Sequence, residues 1–441
     1  MKDFSIKLLL LIIDLLAIVL SIIMAYTLRN LFDNAFFLTI HTFPLVDYLT
    51  FYPFYIITLL IFAYEGIYTY RFDFWHESRL VLKGIIFSAI LIFAYLAMTK
   101  SVGYYSRFTV GLSFIFMAFF IPFAKNISKK LLYRWGLWCK KAKVHGNDPF
   151  LSAEIYNNPY LGYIKPKPNE EFTTIFINSK DNTPNELKKI LSKQIKEKHE
   201  VVFIPLIDDY DLTHSNIYEL SNTRTNLIVY QNRLKSKYRR FFQQAYNYLL
   251  VVILLPLVLP LIAVIALFIK RESKGPVFFT HYRVGQNGKS IPTYKFRSMY
   301  SDAQKRLERL LDEDPQVREE WKNSFKIKED PRITKVGKFL RKTSLDELPQ
   351  IFNILRGEMN FVGPRPVLQE EIDNYYKEDA EYYFMVRPGI TGLWQVSGRS
   401  DTDYAFRVAT DKWYVSNWSL WLDIVILFKT IKVVLKMDGA Y

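Results

Sequence analysis

The chain has 441 residues, 50% hydrophobic and 17% aromatic, with a formal net charge of +15. That length allows two or three domains, and the charge suits an anionic partner: nucleic acid, acidic lipid or a phosphorylated substrate. The single cysteine, Cys139, excludes an intrachain disulfide and reads as a small buried hydrophobe, and with six scattered histidines it leaves no zinc-ligand spacing.

Four apolar segments fill the first third of the chain, at about 6–28, 48–68, 84–99 and 108–124. Each approaches the roughly 20 residues that cross a bilayer, the third being short. The first is too long for a signal peptide and lacks a small-residue cleavage site, so it reads as an anchor. Lys2 and Lys7 precede the first segment, and Arg71, Arg79 and Lys83 lie between the second and third. Lys125, Lys129, Lys130, Arg134, Lys140, Lys141 and Lys143 follow the fourth. The loops at 30–47 and 100–107 are poorer in base, which places both ends of the bundle in the cytoplasm. The basic run after the fourth segment reads as a stop-transfer flank. Acidic groups in these spans, such as Asp14 and Glu65, are few and read as packing or interfacial.

Residues 142–232 are mixed in polarity, with β-like runs at 173–178, 200–206 and 225–231 and a helical stretch at 186–198. Strand–helix–strand predicts a small Rossmann-like α/β module with a parallel sheet. A dinucleotide site needs a glycine-rich turn after the first strand. Only KVHGNDP at 143–149 offers a glycine there, so a spacer or dimerisation role is expected.

A fifth apolar run covers 245–269, with Pro256 and Pro260 inside it. Each proline removes a helical hydrogen bond and kinks the axis. Both flanks are basic: Lys235, Lys237, Arg239 and Arg240 before, Lys270, Arg271 and Lys274 after. A broken helix that enters one leaflet and returns explains both features, and an ordinary kinked span is the alternative. The stretch 413–436 carries Trp413, Trp418 and Trp421 among Asp423, Lys429, Lys432 and Lys436. It reads as a helix lying in the headgroup region, with a buried amphipathic core helix as the alternative.

The chemistry concentrates at Asp346 and Glu347, in RKTSLDELPQ (341–350), with Arg341 before them and Arg365 after. With Ser344 as helix cap, Glu347 falls at the capping-box position, although Pro349 is better placed as a first helical residue and moves the start later. Either frame sets the two carboxylates near a first helical turn, where an anion is favoured. An ionised Asp can attack phosphorus and form an acyl phosphate. A carboxylate and a pyrophosphate repel one another, so magnesium held by Asp346 and Glu347 is expected. Arg341 and Arg365 would neutralise the transferred phosphoryl group.

The order GPVFF (275–279), RVGQNGK (283–289), YKFRSM (294–299), TSLDELPQIFNILRGEMNFVGPRP (343–366), RPGITGLWQVSGR (387–399) and GAY (439–441) resembles the bacterial sugar transferases that act on polyprenyl phosphate. These are the monotopic phosphoglycosyl transferases, and the resemblance is dense over about 243–441. The four-span bundle and α/β module are similar to the large-form members, which start exopolysaccharide, capsule or O-antigen units. The resemblance implies transfer of hexose 1-phosphate, usually galactose or glucose, from a UDP-sugar to undecaprenyl phosphate, with UMP leaving. It implies Asp346 as nucleophile of a two-step reaction, with Glu347, Arg341, Arg365 and Asp411 as catalytic partners. The basic and proline positions Lys295, Arg297, Pro364, Pro366, Arg387 and Arg399 are the substrate-binding candidates, and Pro260 is the helix break. The sequence departs in having Leu259 where small members often have Ser, and in adding Pro256.

The expected architecture is a membrane α-helical bundle of four spans (1–135), the α/β module (142–232), a re-entrant membrane helix (243–271) and an α/β monotopic catalytic domain (272–441). The expected setting is the cytoplasmic face of a bacterial inner membrane, with a homodimer available through the bundle and module. A non-enzymatic membrane sensor or transporter would want more polar residues in the spans. A nucleic-acid role is disfavoured, because many of the bases flank apolar segments, where lipid headgroups account for them.

Overall fold

The computed structural model describes residues 2–36, 44–99, 105–146, 149–168, 170–179, 183–197, 200–204, 216–220, 225–229, 237–313, 318, 330–397 and 403–436. Among them, five stretches are helical, long and apolar enough to cross a membrane: Ser5–Phe32, Leu45–Tyr64, Phe74–Met98, Arg107–Arg134 and Arg240–Glu272. The chain forms two compact units, Met1–Ile207 and Asp208–Tyr441.

In the first unit α1 (Lys2–Phe36) packs along α5 (Arg107–Arg134). Two short helices, α2 (Leu45–Leu49) and α3 (Tyr52–Tyr64), meet at Thr50. The third apolar segment is longer than its hydropathy indicates: α4 runs Phe74–Met98, started by the Asp73 carboxylate, which accepts from the amides of Trp75 and His76. Such a cap satisfies amides that have no partner inside the helix. Ile18, Ile22, Phe62, Val81, Ile92, Met117 and Ile121 form the bundle core.

The stop-transfer reading of the basic run is corrected at two positions. Helix α5 continues past the apolar segment, and Lys125 and Lys129 lie inside the bundle at 1% and 0% exposure. Lys125 Nζ is 2.9 Å from Asp14 and 3.4 Å from Glu77, and Lys129 pairs with Glu77. The hydroxyls of Tyr68 and Tyr160 donate to Asp14 and Glu77 at 2.7 and 2.9 Å. Asp14 is therefore one corner of a closed ionic network, which is how a charge in an apolar bundle is tolerated. Glu65 instead pairs with the half-exposed Lys83 at 2.8 Å.

The α/β module opens with a strand the sequence reading passed over, β1 (Lys140–His145). Next come α6 (Pro149–Tyr156), β2 (Tyr163–Ile164), β3 (Thr174–Asn178), α7 (Pro184–Glu197) and β4 (Glu200–Ile204). The four strands form a parallel sheet in the order β2-β1-β3-β4. The expected third strand does not join it. Thr225–Val229 (β6) pairs antiparallel with β5 (Asn216–Leu220), and this hairpin belongs to the second unit.

The second unit is organised on α8 (Lys237–Glu272), one helix with both prolines inside. Near its start, the Asn247 side chain accepts from the Phe361 amide at 2.8 Å, and the Tyr246 hydroxyl donates to Asp423 at 2.8 Å. At its other end the Glu272 carboxylate accepts from the amides of Lys335 and Val336, at 2.6 and 2.9 Å. Val251 before the two prolines and Ile262, Ile265 and Ile269 after them share one core with Ile291, Phe296, Leu340, Ile351, Ile354 and Met359. The flanks of the prolines carry exposed leucines and valines, among them Leu257, Leu261 and Val264.

The remaining frame is an antiparallel hairpin, β7 (Phe278–Val284) with β8 (Ser290–Phe296), then α9 (Ala303–Glu313), α10 (Lys335–Lys342) and α11 (Ile351–Leu355). Strand β9 (Asn360–Val362) pairs parallel with β10 (Gly389–Thr391). The C-terminal stretch is two helices, α12 (Tyr404–Ser416) and α13 (Leu420–Lys436). One face of this pair is core, with Trp418 at 4% and Asp423 and Ile426 at 0% exposure, while Phe428, Ile431 and Leu435 stay exposed. The buried-helix alternative thus holds for one face, because Asp423 is satisfied internally by Tyr246, Tyr414 and Trp418.

Candidate active site

Asp346 and Glu347 lie in a 3-10 turn, Leu345–Gln350, that leads into α11. The expected capping box does not form. Ser344 adopts a left-handed backbone, φ +56°, and its side chain caps nothing. The Glu347 carboxylate turns instead to two cations: Lys295 Nζ at 2.7 Å and Arg365 Nη2 at 3.3 Å. A charged partner outcompetes the neutral backbone amide that a capping box would offer. Lys295 Nζ is also 3.8 Å from Asp346 Oδ2, so it stands beside both acids.

Three elements bring these groups together. Strand β8 presents Lys295. Helix α10 presents Arg341, whose Nε donates to Ser298 Oγ at 2.9 Å. The helix is held tightly there: Thr334 caps it, and a Cβ on Gly337 would come within 2.0 Å of the Ser298 carbonyl oxygen. The third element is the loop carrying Arg365. Gly389 donates to the Pro364 carbonyl at 2.8 Å and Gly363 to the Thr391 carbonyl at 3.0 Å. RPGITG thus contains the strand, Gly389–Thr391, that braces the PRP loop. Gly363 and Gly389 allow this approach, since a Cβ on Gly389 would lie 2.1 Å from the Gly363 nitrogen.

The two acids are electrostatically unequal. Burial raises Asp346 above the ordinary carboxylate range, and neighbouring Glu347 adds to this against the pull of Lys295, Arg341 and Arg365. Burial also acts upward on Glu347, but Arg365 and Lys295 overcome it and hold that carboxyl below its usual range. Separated carboxyl pKa values mark groups with different tasks.

Other expected site residues are placed elsewhere. Arg297 is 7% exposed, and its guanidinium donates to the Ser273 and Lys274 carbonyls at 2.8 and 3.0 Å, anchoring the end of α8. Arg387 lines a small cleft with Arg240, Gln243 and Asn360 near the start of α8. Asp411 is 3% exposed and accepts from Tyr376 at 2.6 Å, and burial raises its carboxyl to about 6. It belongs to a separate core with Tyr376 and Arg407. Pro364 is buried and Pro366 half-buried on the PRP loop. Arg399 and the terminal GAY lie outside the described residues. Ser298 and Glu272 escaped the sequence reading. Ser298 stood inside KFRSM, but only the fold reveals its partner Arg341.

Among the described residues no group of three or more His, Cys, Asp or Glu side chains is placed to hold a metal. Magnesium needs fewer, since it takes one or two carboxylates together with phosphate oxygens and water. The side-by-side carboxylates of Asp346 and Glu347 fit that requirement.

The five long apolar helices fit a membrane protein, and a pair of carboxylates among three cations is an arrangement that can receive a phosphorylated group. Residues 238–437 match the family described as bacterial sugar transferase. The chain is 37% identical over 404 residues to the undecaprenyl-phosphate galactose phosphotransferase of Salmonella typhimurium, covering 85% of this chain and 84% of that protein. It is 35% identical to the UDP-galactose-lipid carrier transferase of Erwinia amylovora, covering 85% and 84%. It is 36% identical to the UDP-glucose:undecaprenyl-phosphate glucose-1-phosphate transferase of Escherichia coli, covering 56% and 51%. The protein belongs to the bacterial sugar transferase family and is an enzyme of that type.

Proposed function

We propose that the protein transfers hexose 1-phosphate from a UDP-hexose to undecaprenyl phosphate at the cytoplasmic face of the membrane, starting a polysaccharide unit. The observation that carries this is the Asp346–Glu347 pair set among Lys295, Arg341 and Arg365. The Asp346 carboxylate attacks the β-phosphorus, an acyl phosphate forms, and the bond to the α-phosphate breaks to release UMP. A phosphate oxygen of the lipid then attacks the same phosphorus, which frees Asp346 and leaves the hexose on a lipid diphosphate. Lys295, Arg341 and Arg365 neutralise the phosphoryl oxygens as charge develops. Glu347, held ionised by Lys295 and Arg365, orients the turn, and with Asp346 it would hold magnesium. When bound, that ion would supply neutralisation of phosphate charge. Galactose is the favoured hexose, because the two relatives above that cover most of the chain are galactose enzymes by name.

Helix α8 is read as re-entrant and the first four apolar stretches as spans. A straight helix from Asn247 to Glu272 would extend about 38 Å, enough to part its ends across a hydrocarbon core of about 30 Å. Both residues instead bond to backbone amides of one unit. A bend at Pro256 and Pro260 reconciles the apolar middle with the shared footing of the ends. The test is UMP release by the purified full-length protein with undecaprenyl phosphate and magnesium, across a panel of UDP-sugars. Faster release with UDP-galactose than with any other donor is the expected result, and no release with any donor would remove the assignment.

A further inference from the structure

On one face of the hairpin β7–β8, Lys295, Thr293 and Ile291 of β8 stand opposite Phe279, His281 and Arg283 of β7. Thr293 and Ile291 are buried at 2% and 7% exposure, so the polar row that leads away from the Asp346–Glu347 pair is Lys295, His281 and Arg283. Lys295 stands at the carboxylates. His281 Nδ1 lies 3.2 Å from Arg283 Nη2. Arg283 is fixed at the far end by Glu371, at 3.2 Å, and Glu371 is in turn held by the Tyr404 hydroxyl at 2.8 Å. The four residue steps from Lys295 to Ile291 make about 14 Å of strand.

Beside Arg283 a groove of about 290 Å³ opens, lined by Tyr282, Arg283, Ser290, Gln369 and Glu370 among others. This is close to the lower size of small-molecule sites, roughly 300 Å³. Leu368 in its wall ends the loop that carries Arg365, and Gln369 and Glu370 open the helical turn Gln369–Glu371 that follows, so one continuous stretch of chain touches both the carboxylates and the groove. Tyr282 is 66% exposed and offers a ring face, and Ser290, Gln369 and Glu370 offer hydrogen-bonding groups.

Charge decides which half of the donor this track fits. Attack at the β-phosphorus leaves a neutral hexose on one side and an anionic α-phosphate with its nucleoside on the other. A row with cations at both ends matches the second. Resting on the donor class argued above, we propose that the groove seats the uridine of the nucleotide donor, and that the row from Lys295 to Arg283 guides the α-phosphate of the leaving UMP.

Equilibrium binding of UMP to the full-length protein in detergent tests this without turnover. Ser290→Trp, at an exposed position, fills the groove, and Arg283→Gln removes the distal cation. Each is expected to weaken UMP binding at least tenfold and to raise the KM of UDP-galactose and UDP-glucose by similar factors. Wild-type UMP affinity in Ser290→Trp would overturn the assignment. So would a change in preference between the two sugars with UMP binding intact, which would place the hexose there. A wild-type protein that neither binds UMP nor releases it from any donor would remove the enzymatic reading itself, and the groove assignment with it.

Discussion

In the bundle, Asp14, Glu77, Lys125 and Lys129 are each at most 1% exposed and balance as two acids against two amines. In the second unit, Asp346 and Glu347 meet three cations, and the side chains of Asp346, Glu347, Lys295 and Arg365 are 15%, 17%, 29% and 38% exposed. The residue types are alike; closure and charge balance differ. A sealed, neutral network lowers the cost of burying charge and ties helices together. An open cluster with a cation in surplus has unfilled demand for an anion. The contrast separates a structural cluster from a chemical one without appeal to motifs.

The sharpest way to break this comparison is to disable each cluster in turn. Asp346→Asn is expected to lower UMP release by about 10³-fold or more, with an unchanged elution profile in detergent. Arg365→Ala keeps the nucleophile but loses charge neutralisation, and kcat should fall by about 10²–10³-fold. Glu77→Ala should do the reverse. It leaves Lys129 buried without its carboxylate, at a cost of about 3–5 kcal/mol, read as a lowered melting temperature, while turnover per folded molecule stays near wild type. A catalytic loss larger than the stability loss in Glu77→Ala would end the structural reading of the bundle network.

Smaller effects follow from protonation. The Asp346 carboxyl is raised above its ordinary value by burial, so the ionised nucleophile is lost as pH falls through a value above the usual carboxylate range, about 3.9. The acid limb of kcat/KM should lie correspondingly high. The folded state also binds that proton more tightly than the unfolded state, so ionisation destabilises the fold as pH rises. Asp346→Asn should therefore melt slightly higher than wild type at neutral pH, and the gain should vanish in acid. Asp411, raised to about 6 by burial, gives the same sign: Asp411→Asn should gain relative stability as pH rises through 6.

The clustering of Arg341, Asp346, Glu347 and Arg365 was legible because those residues lie within 25 positions of one another, in RKTSLDELPQ and the PRP loop. Lys295 was legible as a substrate residue but not as the bridge between the acids, since that depends on how β8 packs on the turn. Strand β1, KKAKVH, was hidden because its lysines read as a membrane flank, yet its backbone pairs with β2 and β3 while Ala142 faces the core. Lys125 and Lys129 are hidden for the same reason: a basic run looks solvated until its partners, one on α1 and one on α4, are brought beside it. Arg297 shows the converse, a motif arginine whose donors serve the backbone at the end of α8.

The most direct test of the central claim is to mix the protein with UDP-galactose and magnesium in the absence of undecaprenyl phosphate, and to follow UMP. Attack by Asp346 predicts a burst of UMP approaching one equivalent per active site, with hexose phosphate recovered on the peptide containing Asp346. UMP appearing only after the lipid is added, with no labelled peptide, would contradict it and favour direct transfer between the two substrates.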